Sequence, residues 1–357
     1  NILLFHHLVN IKISEQIMDA LILQTKFLIS KLEYFDKYTG NHIINNARSI
    51  YCSGIAFSSV YWMEFASKII FRELPKLVTQ EGFLREGSSH YQLLFTRWLI
   101  ELYYFSITFK DITFSRFLEK YLEPLIKGCF FFFVKNKKSY KYIIPLFGDI
   151  SPDFKPNWLI DFFDLNAQKT RASYFDVIWN NPFLKKNLVN NEKNIIIKDQ
   201  LKLENPKSGW FRYKKFGQDI FFRSEKKGIP DYMGHYHWDF GHFCLFYKGN
   251  PILVDAGREN YLGSFGLSQE AHNTIKVDDF KFVPSKHHLF HPDYSDLNND
   301  FKSFVHEDYI KTTFETSCIK RVDKSFSWER ITLIDKKAFK LKDVFICSKK
   351  HVLKLYF

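Results

Sequence analysis

The sequence predicts a multidomain α and β protein, with a helical domain over residues 1–190 followed by an antiparallel β-domain over residues 195–357. Three observations predict it. A chain of 357 residues exceeds the size at which a single hydrophobic core stops growing. The 46% apolar and 18% aromatic content excludes disorder and supplies material for large cores. The spacing of the apolar residues also changes character near residue 190.

Before that point apolar residues recur at intervals of three and four, as in Ile17, Leu21, Ile22, Leu28 and Leu32, which is the period of an amphipathic helix. Similar stretches predict helices over 43–70, 91–109 and 114–134, with Thr39-Gly40 and Glu86-Gly87 as punctuation. After residue 190 the apolar runs become short and β-rich, at 194–197, 211–213, 219–223, 241–247, 252–254 and 274–277, and they continue over 326–345. Lys248-Gly249-Asn250 separates two of these runs and reads as a hairpin turn. A helical array followed by a run of strands is the economical layout for such a pattern.

The net charge of +12 and pI near 9.2 predict attraction to polyanions, whether nucleic acid, anionic lipid or acidic polysaccharide. The densest clusters, such as Lys135, Lys137 and Lys138, are short enough to be solvated loops. No nucleic-acid-binding motif accompanies the charge, so nucleic acid is not expected as a partner. The longest purely apolar run, 129–134, is too short to span a bilayer. Five widely spaced cysteines, Cys52, Cys129, Cys244, Cys318 and Cys347, without a C-x-x-C pair, predict mostly buried thiols rather than a disulfide framework or a zinc knuckle. The chain begins with Asn rather than Met, and its last residues, 352–357, read as a strand in progress. It is therefore expected to be a fragment, with any signal peptide out of view.

Chemistry concentrates in three segments. In Gly234-His235-Tyr236-His237-Trp238-Asp239, a strand of period two would carry His235, His237 and Asp239 on one face. Asp255 follows at the end of the returning strand, and His272 stands in Ala271-His272-Asn273-Thr274. His237, Asp255 and His272 are suitable zinc ligands, and three protein ligands leave a further position free. The same residues also suit a metal-free set of hydrogen-bonded strand ends, and spacing leaves both open. Asn41-His42 opens a helix after Thr39-Gly40, where free N–H groups and the helix dipole favour an anion. Ser89 and Gln92 have capping-box spacing, placing Tyr91 in a first helical turn, where positive potential should ease loss of the phenol proton.

In chain order, Asn41-His42, Glu86-Gly87-Ser88 with Tyr91, Ser208-Gly209-Trp210, His235-x-His237-x-Asp239, Val254-Asp255-x-Gly257 and His272-Asn273-Thr274 resemble the heparinase II/III-like polysaccharide lyases, the alginate lyase and heparinase type. The resemblance spans nearly the whole chain. It implies an N-terminal α/α toroid, incomplete here, joined to a C-terminal antiparallel β-sandwich. It further implies that Asn41 and His42 grip a uronate carboxylate. Tyr91 and His235 would move protons, with Tyr261 presented to the same cleft, and His237, Asp255 and His272 would hold a structural zinc. The implied reaction is β-elimination on a uronic-acid-containing glycan such as a glycosaminoglycan or alginate, in the periplasm or cell envelope of a bacterium. Two rival readings remain open from the residues: a zinc hydrolase that activates water at the same three ligands, and a non-catalytic polyanion-binding protein.

Overall fold

The computed structural model describes residues 12–36, 39–164, 180–193, 201–205, 207–224, 234–258, 265–280, 303–307, 311–316 and 322–356. Seven α-helices occupy the first part of these: α1 (Glu15–Ser30), α2 (Asn41–Ala56), α3 (Val60–Leu77), α4 (Ser89–Thr108), α5 (Ile112–Phe131), α6 (Pro156–Phe163) and α7 (Pro182–Asn191). A small antiparallel pair, β1 (Val134–Lys135) with β2 (Tyr142–Ile143), lies between α5 and α6, where the helical period predicted no strand.

Side-chain caps fix where helices start. Ser59, Ser88, Asp111 and Asn181 each accept a hydrogen bond from the backbone N–H three residues on, satisfying a donor that the helix leaves free. The single helical stretch expected over 43–70 is therefore two helices. Ser58 turns the backbone into the left-handed region at φ 52°, and Ser59 caps the restart. α2 packs a stripe of Ile43, Ile44, Ala47, Ile50 and Tyr51 into the core, the spacing of one helix face. α4 is buried on all sides from Ser89 to Ser106 and is the axis around which the helical part is packed.

The second part holds a five-stranded antiparallel sheet in sequence order: β3 (Leu201–Asn205), β4 (Trp210–Lys215), β5 (Gln218–Arg223), β6 (Phe243–Tyr247) and β7 (Asn250–Leu253). The turn from β6 to β7 has Lys248 at φ 52° and Gly249 at φ 81°, the mirror-image turn whose twist suits a two-residue hairpin, as the sequence predicts. Beyond it, β8 (Ile275–Val277) pairs with a strand near the end of the chain. β9 (Ser303–Glu307), β10 (Lys311–Thr316), β11 (Ser327–Ile334) and β12 (Phe339–Ile346) form a four-stranded sheet of order β12-β11-β10-β9. The partner of β8 is β13 (Leu353–Leu355).

Strand alternation makes both faces of the five-stranded sheet apolar. Trp210, Phe221, Cys244 and Phe246 face the helices and belong to their core. Phe211, Tyr213, Ile220, Phe222, Phe243 and Leu245 face the other way and pack with Ile334, Phe339 and Leu341. The main core thus runs across the change from helix to strand. Buried arginines reinforce that junction. Arg212 on β4 pairs with Asp219 through two hydrogen bonds of 2.9 and 2.6 Å and donates to the carbonyl of Phe131 at the end of α5.

Among the described residues no helix is long and apolar enough to cross a membrane. Cys52, Cys129, Cys244 and Cys347 carry free thiols, and burial pushes Cys52 and Cys129 up to about 12. Cys318 lies outside the described residues.

Candidate active site

The loop after β2 joins the two parts. Ser89 N–H and hydroxyl donate to the carbonyls of Phe147 and Pro145, the Ser88 hydroxyl donates to the carbonyl of Asp149, and Asp149 N–H donates to the carbonyl of His235. Gly148 sits at φ 71°, and a Cβ there would come within 2.4 Å of the His235 carbonyl oxygen and 2.9 Å of that of Gly87. Only glycine fits this approach.

The segment 234–242 is not the strand that its period suggested. Its backbone groups are taken by loops instead: the carbonyl of His235 by Asp149 N–H, and Trp238 N–H by the carbonyl of Leu267. His235, His237 and Asp239 therefore do not share one face. His235 points to the helices, His237 to His272, and Asp239 to Arg223, which it accepts at 2.6 Å. The capping box also shifts by one residue. Ser88, not Ser89, caps α4 by accepting from Tyr91 N–H at 3.1 Å, while Gln92 accepts from Leu84 N–H and donates to the Gly82 carbonyl. Tyr91 still stands in the first turn.

Four residues from three distant segments converge there. Asn41 begins α2 behind Gly40, and its backbone N–H, which the helix leaves unpaired, donates to Glu86 Oε1 at 2.6 Å. Its side-chain amide contacts Glu86 Oε2 and lies 3.1 Å from His235 Nε2. The Asn41 side-chain oxygen is buried with no hydrogen-bond partner among the described residues. Tyr91 stacks on the His235 ring, with centroids 3.5 Å apart and planes 19° apart. Burial pushes the Glu86 carboxyl above its ordinary value, against the opposing pull of His235 and the Asn41 donors. Tyr91 and His235 keep only 7% and 6% exposure, and Asn41 none. His42 does not join them: its ring turns outward to Glu33, 2.8 Å away. Tyr261 lies outside the described residues.

A second cluster adjoins the first. His237 Nε2 faces Asp149 Oδ1 at 3.1 Å, and His272 Nδ1 faces the carbonyl of Ser268 at 2.6 Å. Both partners are acceptors, so each ring carries its proton on that side. The remaining nitrogens, His237 Nδ1 and His272 Nε2, then turn lone pairs toward each other across 3.2 Å. Asp255 Oδ2 lies 3.4 Å from His272 Nε2 and is buried without a hydrogen bond of good geometry among the described residues, and Asp255 Oδ1 lies 3.9 Å from His237 Nδ1. Facing lone pairs beside a buried carboxylate oxygen call for a cation. Zn–N bonds of about 2.0–2.1 Å at a tetrahedral angle separate two nitrogens by about 3.3–3.4 Å. His237, Asp255 and His272, all buried and with ligand atoms within 4.8 Å of one another, fit that demand.

Three residues of this region were not singled out from the sequence. Asp149 receives His235 Nδ1 at 3.1 Å, His237 Nε2 at 3.1 Å and Arg258 Nη1 at 3.3 Å. Burial alone would raise its carboxyl, but hydrogen bonds from the two histidines outweigh it and hold the group well below the usual carboxylate range. His242 Nε2 lies 3.8 Å from Asp255 Oδ2, and its Nδ1 accepts from Asn273 N–H at 3.2 Å. Burial lowers this imidazole to about 4. Arg330 on β11 pairs with both oxygens of Asp343 and donates to the carbonyls of Gly241 and Asn273, fixing the backbone beside His242 and His272.

Residues 198–357 match the family described as heparinase II/III-like, C-terminal. Among solved structures the chain is similar to a heparinase III gene product, at 18% identity and TM-score 0.59 over 90% of this chain and 47% of that one. It is similar to another heparinase III at 16% identity and TM-score 0.61 over 91% and 49%, and to the heparan sulfate lyase HepC from Pedobacter heparinus at 17% and 0.56 over 92% and 48%. At these identities the likeness is one of fold. No curated protein sequence matches the chain. The chain spans about half the length of the structures it matches. Residues 198–357 thus match the C-terminal domain of the heparinase II/III-like family, and the chain shares the fold of these heparinases over nine-tenths of its length.

Proposed function

We propose that the chain carries the reaction centre of a polysaccharide lyase that cleaves a uronic-acid-containing acidic glycan by β-elimination. The observation that carries this reading is the meeting of Asn41, Glu86, Tyr91 and His235 at one point, with Tyr91 stacked on His235 and the Asn41 amide 3.1 Å from His235 Nε2. An amide donor beside a buried acid can neutralise a uronate carboxylate, without which the proton on the adjacent carbon is too weakly acidic to remove. His235 Nε2 or the Tyr91 phenolate takes that proton, and the C–H electrons become the C4–C5 double bond. The C4–O4 bond breaks, and Tyr91 returns a proton to the departing oxygen. Each proton transfer of this kind is worth about 10²–10⁴-fold.

In this reading the helical part is a portion of an α/α toroid and the strands form a β-sandwich. His237, Asp255 and His272 would hold a zinc ion whose role would be structural, tying the His235 segment to the two later segments that carry Asp255 and His272, with proton transfer left to Tyr91 and His235. Asn41 rather than His42 grips the carboxylate, because His42 is engaged with Glu33. The net charge of +12 draws an acidic polymer to the surface, and the periplasm or cell envelope of a bacterium is where such a polymer is met.

The test is a screen of heparan sulfate, heparin, hyaluronan, chondroitin sulfate and alginate, followed by ultraviolet absorbance. β-Elimination leaves an absorbing unsaturated uronate on each new end. New reducing ends without that absorbance would mean hydrolysis. Salt-dependent binding with no new ends would mean a binding module.

A further inference from the structure

The geometry points to Asp149 as a positioning residue that sets the proton-bearing side of both His235 and His237, and so ties the candidate proton-transfer centre to the candidate metal site through one carboxylate. The inference rests on the lyase reading for its consequence in catalysis, but its geometry stands on the structure alone.

Asp149 is 1% exposed and has two oxygens, each facing a different imidazole: Oδ2 faces His235 Nδ1 at 3.1 Å and Oδ1 faces His237 Nε2 at 3.1 Å. A carboxylate only accepts, so both rings must carry a proton on the side turned to it. For His235 this leaves Nε2 bare, 3.1 Å from the Asn41 amide and beside Tyr91, where a base is needed. For His237 it leaves Nδ1 bare toward His272 and Asp255, where a metal ligand is needed. An acid behind an imidazole fixes tautomer and orientation in proton-transfer centres and in metal centres alike. Here one acid does both.

The backbone of Asp149 extends the tie. Its N–H donates to the His235 carbonyl and its own carbonyl accepts from Ser88, the cap of the helix that carries Tyr91. Arg258 Nη1 donates to the same Oδ2 at 3.3 Å and helps to fix the carboxylate in place. A displacement of Asp149 would therefore move the acid, the base and the metal ligand together.

Asp149→Asn keeps the volume but offers one oxygen and one NH₂ group. The amide can accept from only one ring and forces the other to present a lone pair. In wild-type protein loaded with zinc, ¹H–¹⁵N correlation of the histidine rings should show His235 protonated at Nδ1 and His237 at Nε2. In Asp149→Asn at least one of the two should switch, and turnover of the polymer found in the screen should fall at least about 100-fold with KM little changed. A wild-type His235 with its proton on Nε2 overturns the inference, and this measurement needs no variant to fold. Lost turnover with both tautomers unchanged overturns it too, as does a switched tautomer with normal turnover. If wild type cleaves none of the polymers, the lyase reading fails, while the wild-type tautomers still decide the role of Asp149.

Discussion

The two candidate clusters touch through Asp149, yet they are assembled differently. Asn41, Glu86, Tyr91 and His235 come from two helix starts and a loop, and the Asn41 to His235 contact spans 194 residues of sequence. His237, Asp255 and His272 all come from one stretch that contains β6 and β7, with the histidines 35 positions apart. The first cluster exists only if helices and strands dock. The second takes its candidate ligands from the strand-rich part alone, with His237 held in place by Asp149 from the loop after β2, and its facing nitrogens call for a cation. The difference teaches where each is vulnerable: the first should lose activity when a single hydroxyl is removed, and the second should lose stability when a single ligand is removed.

The largest expected effect is on the first cluster. Tyr91→Phe removes only the hydroxyl and leaves the ring stacked on His235, so kcat should fall at least about 10²-fold with KM and melting temperature nearly unchanged. Steady-state formation of the double bond measures it. Near-normal turnover would make Tyr91 a packing residue and pass the acid role to His235 or Tyr261.

His237→Ala should produce the opposite pattern. It removes one candidate zinc ligand and leaves Asp149 Oδ1 buried without its His237 donor, so about 2–3 kcal/mol of stability should go with the metal. Elemental analysis of wild type should give about one zinc per chain, and thermal unfolding of the variant should shift down by several degrees. Loss of turnover at full stability would instead place the metal in the chemistry.

A smaller effect is expected where the two clusters meet. Gly148→Ala sets a side chain at φ 71° against two backbone carbonyls, which costs about 1–2 kcal/mol from conformation alone. Because Gly148 and Asp149 are consecutive, the variant should lower turnover and stability together, unlike either substitution above. Chemical denaturation alongside initial rates would show it, and a variant that keeps both at wild-type level would mean the loop can yield without moving Asp149.

How much of this was legible follows from range and from charge. The helical and β periods show in the sequence because they repeat locally, and Lys248-Gly249 is a turn whose chemistry is written in adjacent residues. Asn41, Tyr91, His235, His237 and His272 stand out as candidates in the sequence because each sits in a short segment with a recognisable neighbourhood. Asp149 was not, because its two imidazole partners are 86 and 88 residues away and nothing near Phe147-Gly148-Asp149 repeats. A Gly-Asp pair closing an apolar run was the only signal. The expected strand through His235 and His237 failed because alternation of polar and apolar residues also arises where loops on both sides claim the backbone. The net basic charge predicts attraction to polyanions, yet Arg212, Arg223 and Arg330 are buried in ion pairs that knit the β-sheet to its surroundings. Composition counts charges but cannot say which of them have left water.

The smallest effect concerns His351, which tests the strand-rich part outside both clusters. Its Nδ1 lies 2.7 Å from Asp278 Oδ2 and its Nε2 lies 3.2 Å from Asp323 Oδ2, so the ring links the end of β8 to the approach to β11. Hydrogen bonds that the ring donates to Asp278 and then to Asp323 raise its pKa above the ordinary histidine value. Asp323 moves the other way, down to about 2, through hydrogen bonds from the Ser325 backbone and hydroxyl and then from His351. The signs follow from linkage. A histidine raised in the folded state contributes stability that is complete below about pH 6.5, its unfolded value, and is lost as pH rises through the folded value. An aspartate lowered in the folded state contributes stability that is complete above about pH 3.9 and is lost only in stronger acid. The bridge should therefore be strongest between about pH 4 and 6.5 and weaken toward pH 8.5. His351→Gln keeps a hydrogen-bonding group without the charge, so the stability difference between wild type and variant should be larger at pH 5.5 than at pH 8.5. Thermal unfolding of both proteins at the two pH values measures it, and a difference that stays constant would mean that His351 binds its two carboxylates without a proton to spare.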